Sequence, residues 1–260
     1  MPELIEVEMF RAAAETVVGR TVSRVDAPDS WFLKHGLSAD VLGAAVQGAE
    51  VLAATRRGKL LMMAMSSGAV LGLRFGMTGR LAVDGRMPIE RLEFSSRRVD
   101  PAWVRFALEF VGGGSLSIID PRRLGGVELD PDVSTLGPDA STVTVDELRS
   151  ALGRSTAPLK AVLLDQHRLA GLGNLLVDEI LWRSRLDPLR PARSLDPDEQ
   201  RALARSIRST VQVLTRRGGS HTGDLQVARV PGAACPRCSA PLDRRTVGGR
   251  TTYSCPQEQT

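Results

Sequence analysis

The stretch LLDQHRLAGLGNLLVDEIL (residues 163–181) places a glycine-rich turn, at residues 171–173, between two amphipathic helical segments. Asn174 follows the turn, at a position where a short polar side chain commonly caps the next helix. Backbone N–H groups at the start of a helix bind anions, so these groups together with Asn174 are suited to hold a phosphate. An ordinary tight helical hairpin fits the same pattern, and the stretch alone leaves both interpretations open.

Different periodicities flank this stretch on its two sides. Helical patterns occupy residues 144–152 and 196–217, the latter with Asp196 as N-cap and Gly218 as a stop signal. Residues 6–18 predict one N-terminal helix. From residue 20 to about 129, seven or more short β-type runs are separated by turns, which is typical of a sandwich or a flattened barrel.

The sequence therefore predicts an α+β protein. An N-terminal helix plus a β-sandwich domain takes residues 1–130, and a Pro- and Asp-containing linker takes residues 131–143. A helical domain follows at residues 144–220, and a cysteine-bearing β-hairpin ends the chain at residues 221–260.

Charge is distributed unevenly along the 260 residues. Residues 1–150 carry a net charge of −3 and residues 151–260 a net charge of +7. A basic second half favours a polyanionic partner, and nucleic acid is the usual one, although a solvated basic face gives the same net charge.

No apolar run approaches the ~20 residues of a membrane span, and the N-terminus lacks a signal-peptide pattern, so we expect a cytoplasmic protein without a membrane partner.

The N-terminus, MPELIEVE, combines Pro2 with Glu3. Removal of the methionine exposes a secondary amine, and an α-amine titrates near ~8, so a fraction is uncharged at neutral pH. Such an amine can form an imine with a carbonyl-like carbon. Lysine is scarce in this arginine-rich chain, which has only Lys34, Lys59 and Lys160. A lysine retained in such a chain indicates a role that arginine cannot fill.

All three cysteines lie near the C-terminus. Cys235 and Cys238 form one C-x2-C knuckle, and Cys255 opens a second knuckle in which Glu258 takes the fourth position. This spacing predicts a zinc ribbon held by these four residues. Because one carboxylate among three thiolates is unusual for a closed site, a ribbon that binds zinc weakly or has lost it stays open.

Two turns carry long side chains at flexible tips: GMTGR with Met77, and DPRRLG with Arg122 and Leu124. Such side chains can fill the space that an extruded nucleotide leaves in a base stack. As isolated turns they also fit simple hairpin loops.

Together and in this order, these motifs resemble the formamidopyrimidine-DNA glycosylase/endonuclease VIII family of bacterial base-excision repair enzymes. MPELIEVE resembles the N-terminal signature, RRGKLL the lysine turn, GMTGRL and DPRRLG the two intercalating loops, and LGPDA the linker. LLDQ, GLGN and DE resemble the helix–two-turns–helix element, and GGRTTYSCP resembles the arginine-bearing tip of the zinc finger.

The resemblance implies a bifunctional DNA glycosylase and abasic-site lyase. Pro2 would attack the anomeric carbon of a damaged nucleotide, and Glu3 would open the sugar ring by protonating its oxygen. Lys59 would contact phosphate and assist β-elimination. Arg250 would grip phosphate and assist δ-elimination.

The resemblance also implies a set of DNA contacts on duplex DNA that contains a damaged base or an abasic site, made by a monomer. Lys160 and Asn174 would hold the kinked backbone. Met77, Arg122 and Leu124 would fill the gap left by the extruded base.

Three departures from the family pattern bear on specificity. Arg74 stands where histidine is common, Leu124 replaces a common phenylalanine, and the segment from Gly219 to Cys235 is shorter than the loop that covers 8-oxoguanine in typical relatives. The shorter segment implies a more open pocket, which favours oxidised pyrimidines, ring-opened purines or bulkier adducts over 8-oxoguanine as substrates. A catalytically weak DNA-damage binding protein on the same scaffold is the alternative, and an RNA-binding protein with an appended ribbon ranks third.

Overall fold

The computed structural model describes residues 2–89, 92 and 100–260, and the chain forms two compact units. One unit consists of Pro2 and Glu6–Val133, and the other of Glu3–Ile5 and Ser134–Thr260. Met1, whose removal the sequence interpretation requires, lies outside the described residues. The finer boundaries at residues 130, 143 and 220 stay predictions.

The N-terminal unit is a β-sandwich of eight described strands: β1 (Val22–Asp26), β2 (Val51–Arg57), β3 (Leu60–Met65), β4 (Val70–Arg74), β5 (Arg80–Val83), β6 (Val104–Phe110), β7 (Ser115–Ile119) and β8 (Gly126–Leu129). One sheet has the order β1-β6-β7-β5 and the other β2-β3-β4-β8, with every pair antiparallel. Helix α1 (Leu4–Glu15) precedes the strands, and α2 (Ala39–Val46) lies between β1 and β2.

Alternation of apolar and polar residues builds the core of this unit, because successive side chains of a strand point to opposite faces. Phe10 of α1 and Phe75 pack with ring centroids 4.5 Å apart. Phe32 and Phe106 are fully buried in the same cluster. The predicted seven or more β-type runs between residues 20 and about 129 are confirmed as eight strands, of which β8 had no run of its own, and α2 is an addition. Both of these elements are short, and β8 begins directly after a predicted turn.

The C-terminal unit contains helices α3 (Val145–Leu152), α4 (Leu159–Leu164), α5 (Asn174–Ser184) and α6 (Pro197–Arg217), followed by strands β9 (Asp243–Val247) and β10 (Arg250–Ser254). The predicted limits of α6 are confirmed: Asp196 caps its N-terminus in a capping box with Glu199, and Gly218 ends it at φ 96°. Helix α5 is buried throughout from Leu175 to Trp182. It therefore forms the centre of this unit.

Helix α1 begins two residues before the predicted start at residue 6. Leu4 and Ile5 are buried in the apolar core of the C-terminal unit, and the Leu4 N–H donates to the Gly171 carbonyl at 3.0 Å. These contacts hold the first turn of the helix. Among the described residues, no helix is both long enough and apolar enough to cross a membrane.

Candidate functional site

Glu3 lies at the N-terminus of α5 and is completely buried. Its carboxylate accepts hydrogen bonds from the backbone N–H groups of Gly173 (2.9 Å), Leu175 (2.8 Å) and Leu176 (3.1 Å). Groups at this end of a helix lack partners within the helix, and the helix dipole favours a negative charge there. Glu3 therefore caps a helix about 170 residues further along the chain. We call this arrangement the α5 cap.

Gly173 makes the α5 cap possible. A Cβ atom at this position would lie 2.3 Å from Cδ of Glu3, so a residue with a side chain would displace the carboxylate. The prediction that Asn174 caps the helix is wrong, since Gly173 is the N-cap residue and Glu3 supplies the capping oxygens. Since Glu3 occupies three of these N–H groups, they are not available to hold a phosphate as predicted.

Asn174 faces the C-terminal hairpin. Its side-chain Nδ2 donates to the Thr251 carbonyl at 3.0 Å. Arg250, the neighbour of Thr251, is exposed at the start of β10. Asn174 therefore holds the backbone next to the arginine for which a phosphate contact is predicted, and the predicted DNA contact of Asn174 itself stays a prediction.

Lys160 is completely buried in α4. Its ammonium donates to Asp178 Oδ1 (2.6 Å), to Thr252 Oγ1 (2.8 Å) and to the Thr251 carbonyl (3.3 Å). Arg229 donates to the other oxygen of Asp178. Burial lowers the pKa of the Lys160 ammonium, and the attraction of Asp178 opposes that shift.

This position makes Lys160 an internal anchor, and its predicted part in holding the kinked DNA backbone stays a prediction. A side chain with no exposed surface that is engaged by Asp178 and the hairpin does not reach a DNA backbone in this conformation. Lys160 and Asn174 instead converge on the same Thr251 carbonyl. The hairpin that carries Arg250 is thereby attached to α4 and α5.

Lys59 lies in the two-residue turn that joins β2 and β3, since Arg57 pairs with Leu60. Gly58 takes the preceding turn position at φ 58°, a conformation that favours glycine. Arg56 braces this turn by donating to the Gly58 carbonyl at 2.7 Å and to Glu8 of α1 at 3.1 Å. The turn is thus positioned by the helix that follows Pro2 in the sequence.

The two predicted intercalating loops are joined to each other by Asp120. One of its oxygens accepts from the Thr78 hydroxyl (2.6 Å) and the Arg122 N–H (3.2 Å), and the other accepts from the Gly125 N–H (2.8 Å). Thr78 and Asp120 are both buried. We call these two loops, residues 75–79 and 120–125, the wedge platform.

The wedge platform presents the predicted wedge residues beside one another. Met77 is partly exposed, Arg122 is exposed, and 50% of the Leu124 surface is exposed. A Cβ at Gly76 would lie 2.4 Å from the backbone carbon of Leu124, so the two loops touch backbone to backbone. The two separate motifs are therefore packed against each other in one platform.

A neighbouring turn braces the wedge platform. Arg123 donates from two nitrogens to the two carboxylate oxygens of Asp29, at 2.6 and 2.7 Å. A hydrogen bond from Arg123 holds the pKa of Asp29 below its usual range.

Arg74, which stands at the position where the family commonly has histidine, donates to Glu128 at 2.7 Å, and His35 lies 3.0 Å from the same carboxylate.

The three cysteines come together in the C-terminal hairpin as free thiols, with their sulfur atoms within 4.8 Å of one another. Burial acts to raise the pKa of Cys235, but hydrogen bonds from the Trp182 indole and nearby N–H groups outweigh it and bring the pKa to about 7. Burial and the Cys238 sulfur raise the pKa of Cys255 to about 11. The structure does not bring Glu258 into this group: its carboxylate pairs with arginine side chains.

Comparison with known proteins matches both units of the chain. Residues 1–127 match the formamidopyrimidine-DNA glycosylase N-terminal domain, and residues 135–225 match the formamidopyrimidine-DNA glycosylase H2TH domain. The formamidopyrimidine-DNA glycosylase of Thermus thermophilus is 34% identical over 98% of this chain and 97% of its own length. The chain belongs to the formamidopyrimidine-DNA glycosylase family.

Other members of the formamidopyrimidine-DNA glycosylase family extend this comparison. The enzyme of that name from Arabidopsis thaliana is 32% identical over 100% of this chain and 71% of its own length. A crystal structure of LlFpg with a THF-DNA and an inhibitor matches all of both chains, with a TM-score of 0.84 and 28% identity. The Lactococcus lactis Fpg in complex with abasic-site DNA matches with a TM-score of 0.82, 25% identity and 99% coverage of both chains.

The sequence interpretation missed three buried acidic residues. Asp178, Glu179 and Asp120 are buried acids that accept backbone or cationic donors. The pair Asp178–Glu179 was visible as two acidic residues inside an otherwise apolar helix, which indicates buried partners, because charged side chains are rarely buried unpaired. Asp120 carried no such signal, since an aspartate at a turn is ordinary.

Proposed function

We propose that this chain excises oxidised or ring-opened bases from double-stranded DNA and then cleaves the strand at the abasic site by β,δ-elimination. The observation that carries the proposal is the buried carboxylate of Glu3, which is held by three backbone N–H groups directly after Pro2 in the chain. Membership of the formamidopyrimidine-DNA glycosylase family supports it. The substrate would be duplex DNA in the bacterial cytoplasm, bound by one monomer.

The proposed reaction starts at the N-terminal amine. After methionine removal, the uncharged Pro2 nitrogen attacks the anomeric carbon, and the damaged base leaves with the electron pair of the glycosidic bond and takes a proton from water. Glu3 receives the proton that the amine loses and delivers it to the ring oxygen, which opens the sugar and leaves an iminium. The fixed position of Glu3 in the α5 cap suits this transfer, since no reorganisation is needed at the moment of reaction.

The iminium makes the adjacent sugar proton acidic, so one covalent intermediate serves both base removal and strand cleavage. Lys59 would contact the phosphate and assist β-elimination, supported by its position at a turn that Arg56 braces. Arg250, exposed on the hairpin, would hold a second phosphate and assist δ-elimination. Met77, Arg122 and Leu124 would occupy the gap in the base stack.

Borohydride trapping on a duplex with one abasic site, followed by peptide mass mapping, tests this proposal. We expect an adduct on the N-terminal proline. A matched chain with one extra glycine before Pro2 converts the amine to an amide, and it should bind the duplex without forming the adduct. If the trimmed wild-type chain binds the duplex but yields no adduct, the weakly catalytic DNA-damage binding protein becomes the better description.

The segment from Gly219 to Cys235 supports a preference for lesions other than 8-oxoguanine. Its backbone is attached to α5, because Glu179 accepts from the N–H groups of Asp224 (3.0 Å) and Leu225 (2.9 Å). A short and anchored segment is poorly suited to close over an extruded base. Single-turnover excision should be faster on ring-opened guanine than on 8-oxoguanine, and the reverse order would contradict this argument.

We also propose that the cysteine cluster holds Zn²⁺. Three thiolate sulfurs are typical ligands of a structural zinc ion, whose contribution is to link the two knuckles of the hairpin. In a ribbon of the C-x2-C…C-x2-C type, the fourth ligand comes from the position that Glu258 occupies here.

A further inference from the structure

The cysteine cluster fits three corners of a tetrahedral zinc site. Zinc–sulfur bonds of about 2.3 Å place the sulfurs of a tetrahedron roughly 3.8 Å apart. Here the sulfur atoms of Cys238 and Cys255 are 3.4 Å apart, and all three lie within 4.8 Å of one another. A soft divalent ion can therefore bind to the three thiolates with little movement.

Glu258, the predicted fourth ligand, pairs with two arginine side chains. Its Oε2 atom lies 3.1 Å from Nη1 of Arg237 and 3.5 Å from Nε of Arg185. The side chain is 18% exposed, so it is partly removed from water together with its partners. Both contacts use the same oxygen, and Glu258 is not among the residues whose ligand atoms lie within 4.8 Å of one another in the cysteine cluster.

Arg237 connects this ion pair to the first knuckle and to α5. Its guanidinium lies 4.2 Å from the ring centroid of Trp182 and donates to the Trp182 carbonyl at 3.2 Å. The Trp182 indole in turn donates to the Cys235 sulfur at 3.3 Å. The first knuckle, the second knuckle and α5 are therefore linked through Trp182, Arg237 and Glu258.

The second knuckle has a further attachment that involves no metal. The side-chain oxygen of Gln259 accepts from the Cys255 N–H at 2.8 Å, and its nitrogen donates to the Leu186 carbonyl at 2.8 Å. Gln259 is buried. In a complete ribbon, a fourth zinc bond holds the second knuckle. Here, contacts between protein groups hold it instead.

We propose that the hairpin binds zinc through Cys235, Cys238 and Cys255 only, and that the Arg237–Glu258 ion pair on Trp182 replaces the fourth ligand. The fourth coordination position is then taken by water or a small solute. Zinc at such a site exchanges with chelators, and the hairpin keeps its fold when zinc is removed. This proposal does not depend on the glycosylase reaction.

Zinc competition with a chromophoric chelator on the full-length protein tests the proposal, together with thermal unfolding and limited trypsin digestion at the arginines of the hairpin. We expect wild-type protein to release zinc to the chelator while its Tm and digestion pattern persist. Glu258→Gln should leave the zinc Kd within a few-fold of wild type. Glu258→Cys, which completes four thiolates, should tighten zinc binding by more than the roughly 10–100-fold that changes around a metal site produce.

Three results would overturn the proposal. Weakening of zinc binding by tenfold or more in Glu258→Gln would make Glu258 a ligand. Unfolding or rapid tryptic cleavage of the hairpin on zinc removal would make the metal its main support. Failure of the wild-type protein to bind zinc would remove the three-thiolate site. Arg237→Gln tests the ion pair separately from the three-cysteine site, since it should destabilise the zinc-free hairpin without weakening zinc binding.

Discussion

The wedge platform and the α5 cap are built in opposite ways. In the wedge platform, Asp120 bonds groups no more than 42 residues away, and its partners in the second loop are two and five residues away. In the α5 cap, Glu3 bonds three N–H groups that lie about 170 residues further along the chain. Both arrangements use a buried carboxylate that accepts from backbone N–H groups, and in the wedge platform it also accepts from the Thr78 hydroxyl.

A short motif can specify the contacts of the Asp120 carboxylate, whereas only the folded chain specifies those of the Glu3 carboxylate. DPRRLG contains both its acid and two of the donors that the acid binds, so the loop is largely determined locally. Glu3 meets its partners in a segment whose next two residues, Leu4 and Ile5, are buried in the C-terminal core. Substitutions at the two carboxylates should therefore have different consequences.

Glu3→Gln should have the largest effect on activity. The amide keeps the size of the side chain, but it cannot transfer a proton and it turns an N–H₂ group toward backbone donors. Loss of a general acid–base group costs about 10²–10⁴-fold in rate, so single-turnover base excision should fall in that range. Glu15→Gln, at the exposed end of α1, is the control and should leave excision unchanged. Normal excision by Glu3→Gln would reduce Glu3 to a helix cap.

Lys160→Met should have the largest effect on stability. Removal of one partner of a buried ion pair costs about 3–5 kcal/mol, because the remaining charge is left uncompensated. Arg229 still neutralises part of the Asp178 charge, so we expect the lower end of that range in the free energy of unfolding by denaturant. A direct DNA contact predicts the opposite pattern: unchanged stability with weaker binding of abasic DNA.

Asp120→Asn tests the wedge platform. An asparagine keeps the shape of the side chain. Its N–H₂ group, however, faces at least one of the three donors whose hydrogen bonds the carboxylate now accepts. A buried donor without an acceptor costs about 1–3 kcal/mol. We expect that loss in unfolding free energy, together with weaker abasic-duplex binding. Asp40→Asn, on the exposed side of α2, should stay within about 0.5 kcal/mol of wild type.

The comparison also shows which parts of the fold the residue pattern can predict. The strands and α6 follow from alternation and from caps within a few residues, and the structure confirms them. Helix α1 starts earlier than its own pattern indicates, because the Leu4 N–H donates to the carbonyl of Gly171, far along the chain. An element boundary that depends on a distant partner carries no local signal.

The same reasoning applies to the individual residues of the site. Asn174 has the residue type and position of a helix cap, but a carboxylate from the N-terminus of the chain takes that place. Lys160 is expected from the family resemblance to hold the kinked DNA backbone, but its sequence context gives no sign of its buried partners, Asp178 and Thr252. Residue type predicted that both positions matter, whereas their roles depend on long-range packing.

Leu124→Phe should have the smallest effect, a modest change in DNA binding. It tests the wedge platform directly, because the changed side chain lies on the surface of that platform. Stacking of an aromatic ring on a base contributes about 1–3 kcal/mol, and leucine already provides apolar contact. We therefore expect about fivefold tighter binding of an abasic duplex with an unchanged Tm. Leu52→Phe is a matched control, since Leu52 is 52% exposed and Leu124 50%. Equal tightening by both variants would show that any exposed ring suffices, whereas tightening by Leu124→Phe alone would mean that the platform held by Asp120 directs residue 124 into the base stack.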